Sequence, residues 1–208
     1  MALYYNYKDK PKLELGRVYG GIGWPGIRRA QRAGDIPETL PGYLAVIGEN
    51  RFFELGQPGR YLLFLLDEFK SDDKSALLKK SLEFNQQYNV DLWYGNTDKE
   101  MKNYVWHWNQ HLRPSRSPEV IFMAAPYAYS LPHIQIHIEI LRSVLSAPQI
   151  LDLTALIDDP ICLSYLGPQY AEGDYSTVTA SDNPVVAALG YAVTALREYP
   201  PEDENDEY

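Results

Sequence analysis

The residues that could do chemistry fall into a few short clusters. His107 and His111 are spaced i, i+4, as are His133 and His137, and these are the four histidines of the chain. On a helix that spacing puts two imidazoles on one face, where they can share a metal ion. Neither pair carries the Glu of an H-E-x-x-H motif, and the plainer reading is polar positions on amphipathic helices beside core residues. Asp67-Glu68 closes an apolar run. It reads either as a pair of metal-binding carboxylates or as the solvated end of a buried strand. Gly20-Gly21 with Gly23 suggests a phosphate-binding turn, but the pattern is not G-x-G-x-x-G and no helix start follows it. Close backbone approach or a strand bend accounts for these glycines better. Asp182-Asn183-Pro184 has the composition of a helix start, with Asn183 as the cap. Trp93, Trp106 and Trp108, in a chain with 17 Tyr, could stack on bases. Without a basic groove they read instead as core or interface anchors.

Composition narrows the classes. A length of 208 residues fits one domain with decorations, expected over residues 17–199, with an N-terminal arm (1–16) and an acidic tail (200–208). The single Cys162 has no partner for an internal disulfide and gives no zinc-finger spacing, which fits a reducing, cytoplasmic setting. No run reaches the roughly 18 apolar residues of a membrane span. The first ten residues lack the basic-then-apolar order of a signal peptide, so no membrane partner is expected. A net charge of -9 disfavours non-specific polyanion binding. Arg28, Arg29 and Arg32, then Arg113 and Arg116, are the candidate local basic patches.

These residues must be positioned by a recognisable series of elements. Arg17 to Trp24 reads as a strand leading into a Trp24-Pro25-Gly26 turn. Ile27 to Pro41, rich in Arg, Gly and Pro, reads as a connection with a short helical turn at Ile27 to Ala33. Gly42 to Glu49 is β-prone, continuing across Glu49-Asn50 into a hairpin with Arg51 to Leu55. Arg60 to Phe69 contains Tyr-Leu-Leu-Phe-Leu-Leu, a continuous apolar run of the kind buried on both faces. A helix follows Ser71-Asp72-Asp73 with Leu77, Leu78, Leu82, Phe84 and Tyr88 as its stripe. Val90 to Tyr94 is a short strand, and a helix capped by Thr97 or Asp98 runs to about Leu112, with Met101, Tyr104, Val105 and Trp108 on one face. Glu119 to Ala125 reads as the next buried strand. Leu131, Ile134, Ile138, Leu141 and Leu145 give the cleanest helical period. Ile150 to Leu153 and Ile161 to Tyr165 are short strand or loop candidates, and Pro184 to Tyr199 is an apolar, buried helix. The order is that of an α/β protein with a mixed sheet.

This order, with the local words inside it, resembles the ribonuclease-H-like nuclease domain of phage terminase large subunits. Tyr19-Gly-Gly-Ile-Gly-Trp-Pro-Gly26 looks like that family's first strand, where an Asp normally stands at the position of Gly23. Leu65-Leu-Asp-Glu-Phe69 looks like its third strand, running into an acidic pair. Asp91-Leu-Trp-Tyr-Gly-Asn-Thr-Asp98 looks like its fourth, where an Asp often stands near Asn96. Ser181-Asp-Asn-Pro-Val-Val-Ala-Ala-Leu-Gly-Tyr-Ala192 looks like its last helix, which begins with one or two acids. The resemblance implies a ribonuclease-H-like mixed central sheet: three antiparallel strands, then alternating helix and strand, flanked by helices.

The chemistry implied is phosphodiester hydrolysis at two Mg²⁺ or Mn²⁺ ions about 4 Å apart, held by carboxylates. The first-strand Asp would bridge both ions, and Gly23 offers nothing there. Asn96 would give a neutral oxygen in place of an anion. Glu68, Asp98 and Asp182 remain as the candidate catalytic and metal-binding set. The expectation is therefore a terminase-nuclease-like domain of phage or prophage origin with impaired nuclease activity and a residual binding or structural role. DNA, other packaging proteins or self-association are the partners it implies. The alternatives are an active Mg²⁺- or Mn²⁺-dependent endonuclease and an oligomeric adaptor protein without catalysis. No G-x-x-x-x-G-K-[ST] phosphate loop is present, so the chain carries no packaging ATPase of that type.

Overall fold

Hydrophobic patterning folds the chain around one mixed sheet. The computed structural model describes residues 4–5, 13–28, 38–51, 62–95, 99–115, 117–124, 131–147, 150–166 and 183–198. The strands are β1 (Tyr4–Tyr5), β2 (Leu13–Gly23), β3 (Gly26–Arg28), β4 (Glu38–Leu40), β5 (Gly42–Asn50), β6 (Leu63–Ser71), β7 (Leu92–Gly95), β8 (Met123–Ala124) and β9 (Leu151–Asp152). The helices are α1 (Lys74–Tyr88), α2 (Lys99–His111), α3 (Leu131–Ser146), α4 (Leu163–Leu166) and α5 (Pro184–Glu198). The main sheet has the order β8-β7-β2-β5-β6-β9, with β1 added to β2. β2, β5 and β6 form an antiparallel meander, whereas β7 joins β2, β8 joins β7, and β9 joins β6 in parallel. A separate hairpin pairs β3 with β4.

The strands alternate in the expected way, and each face has its own cover. Val18, Ile22, Leu44, Val46, Phe64 and Leu66 pack with Leu77, Phe84 and Tyr88 of α1 and with Trp93. Tyr43, Ala45, Ile47, Leu63 and Leu65 face the other way, against Leu141 and Leu145 of α3 and the apolar stripe of α5. α1 starts where Asp73 accepts a 2.8 Å hydrogen bond from the Ser75 amide, an N-cap that replaces a missing intrahelical partner. It ends at Asn89, which adopts a left-handed φ of 51° and donates its amide to the Asn85 carbonyl. All the stripe residues expected of α1 are buried.

Several boundaries and types differ from the sequence expectation. β2 begins at Leu13, and Tyr4–Tyr5 pairs with it, so part of the expected irregular arm belongs to the sheet. Residues 26–28 form a strand rather than a helical turn, because β4 supplies an antiparallel partner. Ile161–Tyr165, expected as a short strand or loop, is a turn at Ile161–Cys162 leading into the short helix α4 from Leu163. The buried strand expected over Glu119–Ala125 is reduced to Met123–Ala124. Before it, Val120 is held by the Asn109 side chain, which accepts from the Val120 amide (3.0 Å) and donates to its carbonyl (2.8 Å). A side chain there takes the place of a neighbouring strand. Of the expected Arg51–Leu55 hairpin arm, Arg51 is a turn residue whose amide donates to the Glu14 carbonyl at 2.9 Å, and residues 52–55, like the acidic tail, lie outside the described residues.

Candidate functional site

The end of β2 is where the sequence places its empty position, and the structure puts α5 against it. Tyr19, Gly21 and Gly23 share one face of β2, and α5 lies along that face in the opposite direction. A Cβ on Gly21 would sit 1.9 Å from the Ala188 carbonyl oxygen, and one on Gly23 would sit 1.9 Å from that of Pro184. Tyr191 then reaches Tyr19. Pro184, Ala188 and Tyr191-Ala192 are thus a helical stripe laid on a strand from which the side chains have been removed. Close approach, rather than a phosphate turn, explains Gly21 and Gly23. Gly20 faces the other way, where a Cβ would meet the Trp93 ring at 2.2 Å. The first turn of α5 is closed by Asn183, whose side chain accepts from the Val185 amide at 3.0 Å.

Beside Gly23 in the sheet stands Tyr43, its register partner on β5. Tyr43 is fully buried and donates its hydroxyl to Glu68. The Glu68 carboxylate also accepts from the backbone amides of Ile161 and Cys162, the latter at 3.1 Å. Both amides precede α4, so Glu68 satisfies donors that the helix start leaves without intrahelical partners. The lone cysteine has its place here too. Burial, reinforced by the Glu68 carboxylate, holds the Cys162 thiol far above its usual range. Burial likewise pushes the Tyr43 phenol well up, with Cys162 and Glu68 adding to the effect.

The two adjacent acids face opposite sides of β6 by strand alternation, and a bulge just before them decides which acid faces which cover. Val46 pairs with Asp67 and Ile47 with Leu65, leaving Leu66 as an extra residue. Leu66 and Asp67 therefore both face α1, where Tyr88 donates its hydroxyl to Asp67 at 2.7 Å. Glu68 faces α4 and α5. Asp67 also accepts from the Glu68 amide at 2.8 Å. The two carboxylates do not act as a pair, and neither is the solvated strand end that the sequence alone allows.

Of the candidate site residues, Gly23 on β2 and Glu68 on β6 lie on the same face of the sheet, with Tyr43 of the intervening β5 between them. Asn96, Asp98 and Asp182 lie outside the described residues. Among the described residues no group of three or more His, Cys, Asp or Glu side chains is placed to hold a metal ion. Sequence reasoning missed Tyr43, Cys162 and the Ile161 amide as partners of Glu68. The carboxylate and its amide donors are 93 and 94 positions apart in the chain, and no local pattern links them.

A second feature lies on the outer side of α2. Trp24, Met101, Val105, Trp106, Ile121 and Phe122 line most of a cavity of about 190 Å³. Trp106 is 63% exposed and Ile121 67%, and Leu112 at the end of α2 is 55% exposed. The other tryptophans named by the sequence are core residues. Trp93 donates to Asn85 at 2.6 Å and Trp108 to Ser75 at 2.8 Å, so each buried indole N–H has a partner. Arg113, expected in a basic patch, is directed at the carbonyls of Asn109 and Ser117 and lies 3.9 Å from Glu119.

No family model, no curated protein and no solved structure matches this chain.

Proposed function

We propose that the chain is a ribonuclease-H-like domain, similar to terminase nuclease domains, in which metal-dependent strand cleavage is impaired and a binding or structural role remains. The fold reading is supported by the meander β2-β5-β6 followed by alternating helices and strands, with β2 inside the sheet. It is supported also by α5 beginning against the end of β2, where the resemblance sets the first-strand acid opposite the last helix.

One observation carries the loss of cleavage: the Pro184 carbonyl oxygen occupies the space into which a bridging side chain at position 23 would project. Backbone is the least movable neighbour a side chain can meet, so the position is closed rather than vacant. Glu68 points the same way, because its oxygens already accept from Tyr43, Ile161 and Cys162. A carboxylate serving those donors is a poor candidate for a hard divalent ion, which needs oxygens free to converge on it. The described positions therefore do not fit a pair of Mg²⁺ or Mn²⁺ ions, and no hydrolytic step is derived through them. Plasmid nicking in Mn²⁺ tests the reading. The expected result is no cleavage; cleavage by the wild type that Asp182→Ala abolishes would overturn it.

A second reading, self-association as a structural protein, is favoured by the exposed Trp106 and Ile121 around the α2 cavity, since large apolar side chains grouped on a surface mark contact sites. Sedimentation at rising concentration, with Trp106→Glu as the control, tests it. A strict monomer at high concentration would rule it out.

A further inference from the structure

We propose that His107 and His111 form a chelating site for one divalent transition-metal ion, taking Cu²⁺ ahead of Ni²⁺ and Zn²⁺. The pair lies on the outer face of α2, one turn apart, and both residues are exposed. Their rings are 4.5 Å apart, centroid to centroid, at an interplanar angle of 48°. Among the described residues neither imidazole has a hydrogen-bond or ion-pair partner. The side chains are therefore not the polar borders of a core that the sequence suggests.

The separation can be compared with what chelation needs. With metal–nitrogen bonds of about 2.0–2.1 Å, two imidazoles on one ion have centroids roughly 4.5 Å apart at a right angle and roughly 5.2 Å apart at a tetrahedral one. The observed spacing brings both rings within reach of one shared ion. The usual order of divalent affinities for nitrogen ligands then puts Cu²⁺ ahead of Ni²⁺ and Zn²⁺.

Position on the helix adds a second argument. α2 ends at His111, so the pair lies on its last turns, where the unpaired carbonyls leave partial negative charge that favours a cation. Arg113, just beyond that end, donates to the Asn109 carbonyl of the last turn and to the Ser117 carbonyl and lies 3.9 Å from Glu119, so it takes one of those carbonyls and shares the helix end with a bound ion. Two protein nitrogens leave the remaining coordination positions to water. This makes the site an exposed binding centre, distinct from the carboxylate positions at the end of β2.

The test is titration of the untagged, chelator-stripped full-length chain with CuCl₂, followed by electron paramagnetic resonance at low temperature. One tight equivalent is expected, with hyperfine structure from two nitrogens. Replacing either residue, as His107→Ala or His111→Ala, should weaken the first equivalent roughly 100-fold, the low end of what tethering a second donor provides. Both positions are exposed, so folding should be unaffected, as circular dichroism would verify. The double variant His133→Ala/His137→Ala serves as the control and should keep the tight equivalent. Unchanged affinity in His107→Ala/His111→Ala, a first equivalent with fewer than two nitrogens, or tighter binding of Zn²⁺ than of Cu²⁺ would overturn the proposal.

Discussion

Adding a single carbon at Gly23 probes how tightly α5 closes the end of β2. The Cβ of Gly23→Ala would stand 1.9 Å from the Pro184 carbonyl oxygen and 2.6 Å from its carbonyl carbon and Cα. Non-bonded carbon atoms settle at roughly 3.5–4.0 Å, so the strand and the helix must part by about 1 Å or more. Overpacking a well-filled core costs about 1–3 kcal/mol when side chains can adjust. Here the obstacle is backbone, and α5 packs on β2, β5 and α3 as one unit, so about 3 kcal/mol or more is expected. For a chain of this length that corresponds to a fall in Tm of roughly 6–12 °C. Gly26→Ala is the matched control, because a Cβ there has nothing within 4 Å. Its effect should stay within about 0.5 kcal/mol. Gly23→Asp, which restores the acid the resemblance calls for, should be worse than Gly23→Ala, since it adds a buried carboxylate to the same clash. Urea unfolding of the three variants measures all of this. An unfolding free energy for Gly23→Ala within about 1 kcal/mol of that for Gly26→Ala would refute the close-packed reading of β2 and α5.

Other consequences are open to simple measurement. Glu68→Ala would leave the Tyr43 hydroxyl and the Ile161 and Cys162 amides without their acceptor, for a loss of about 2–4 kcal/mol. Glu68→Gln keeps one acceptor oxygen, so urea unfolding should place it between Ala and wild type. Stability should fall at alkaline pH. The Cys162 thiol and the Tyr43 phenol bind their protons more tightly folded than unfolded, so their contribution is complete below their ordinary values of 9.0 and 10.0 and is lost as pH rises above them. The slope should approach about 1.4 kcal/mol per pH unit for each group, and Cys162→Ala should reduce it between pH 9 and 10, as unfolding at stepped pH would show. Native Cys162 should also resist thiol-reactive disulfide reagents at pH 8 and react only on unfolding, because it is buried and stays protonated.

The scaffold was largely legible where pattern and length agree. The apolar run Tyr61 to Leu66, bounded by a turn signal, reads as a buried strand, and β6 begins within it at Leu63. Ser71-Asp72-Asp73 opens a helix whose stripe runs from Leu77 to Tyr88, and α1 follows both. Pro184 follows a cap and begins an apolar helix, as α5 does. Short segments were less legible, because four or five apolar residues fit a strand, a loop or one helical turn equally well. Ile161–Tyr165 became part of α4 because Glu68 supplies an acceptor for the amides that precede it. Val120 escaped strand pairing because Asn109 takes both of its backbone groups.

The site was legible in part. Gly20, Gly21 and Gly23 signalled close approach, and the structure names the neighbours as Trp93, Ala188 and Pro184. Asp67-Glu68 looked like one acidic unit because the two are adjacent in sequence. Strand alternation alone sets them on opposite faces, and the bulge at Leu66 turns Asp67 toward α1 and Glu68 toward α4; nothing in the sequence marks Leu66 as the bulged residue. His107 and His111 were correctly set one turn apart on a helix, but their exposure depended on which face of α2 the sheet covers.

The claim that the end of β2 is closed to a metal pair is tested most directly by growing crystals, soaking them in Mn²⁺ and recording anomalous scattering at the manganese edge. The expected map shows no manganese between Gly23, Glu68 and the first turn of α5, with the Pro184 carbonyl in contact with the Gly23 backbone. A manganese peak in that space, bound by Glu68 or by residues preceding Asn183, would contradict the claim.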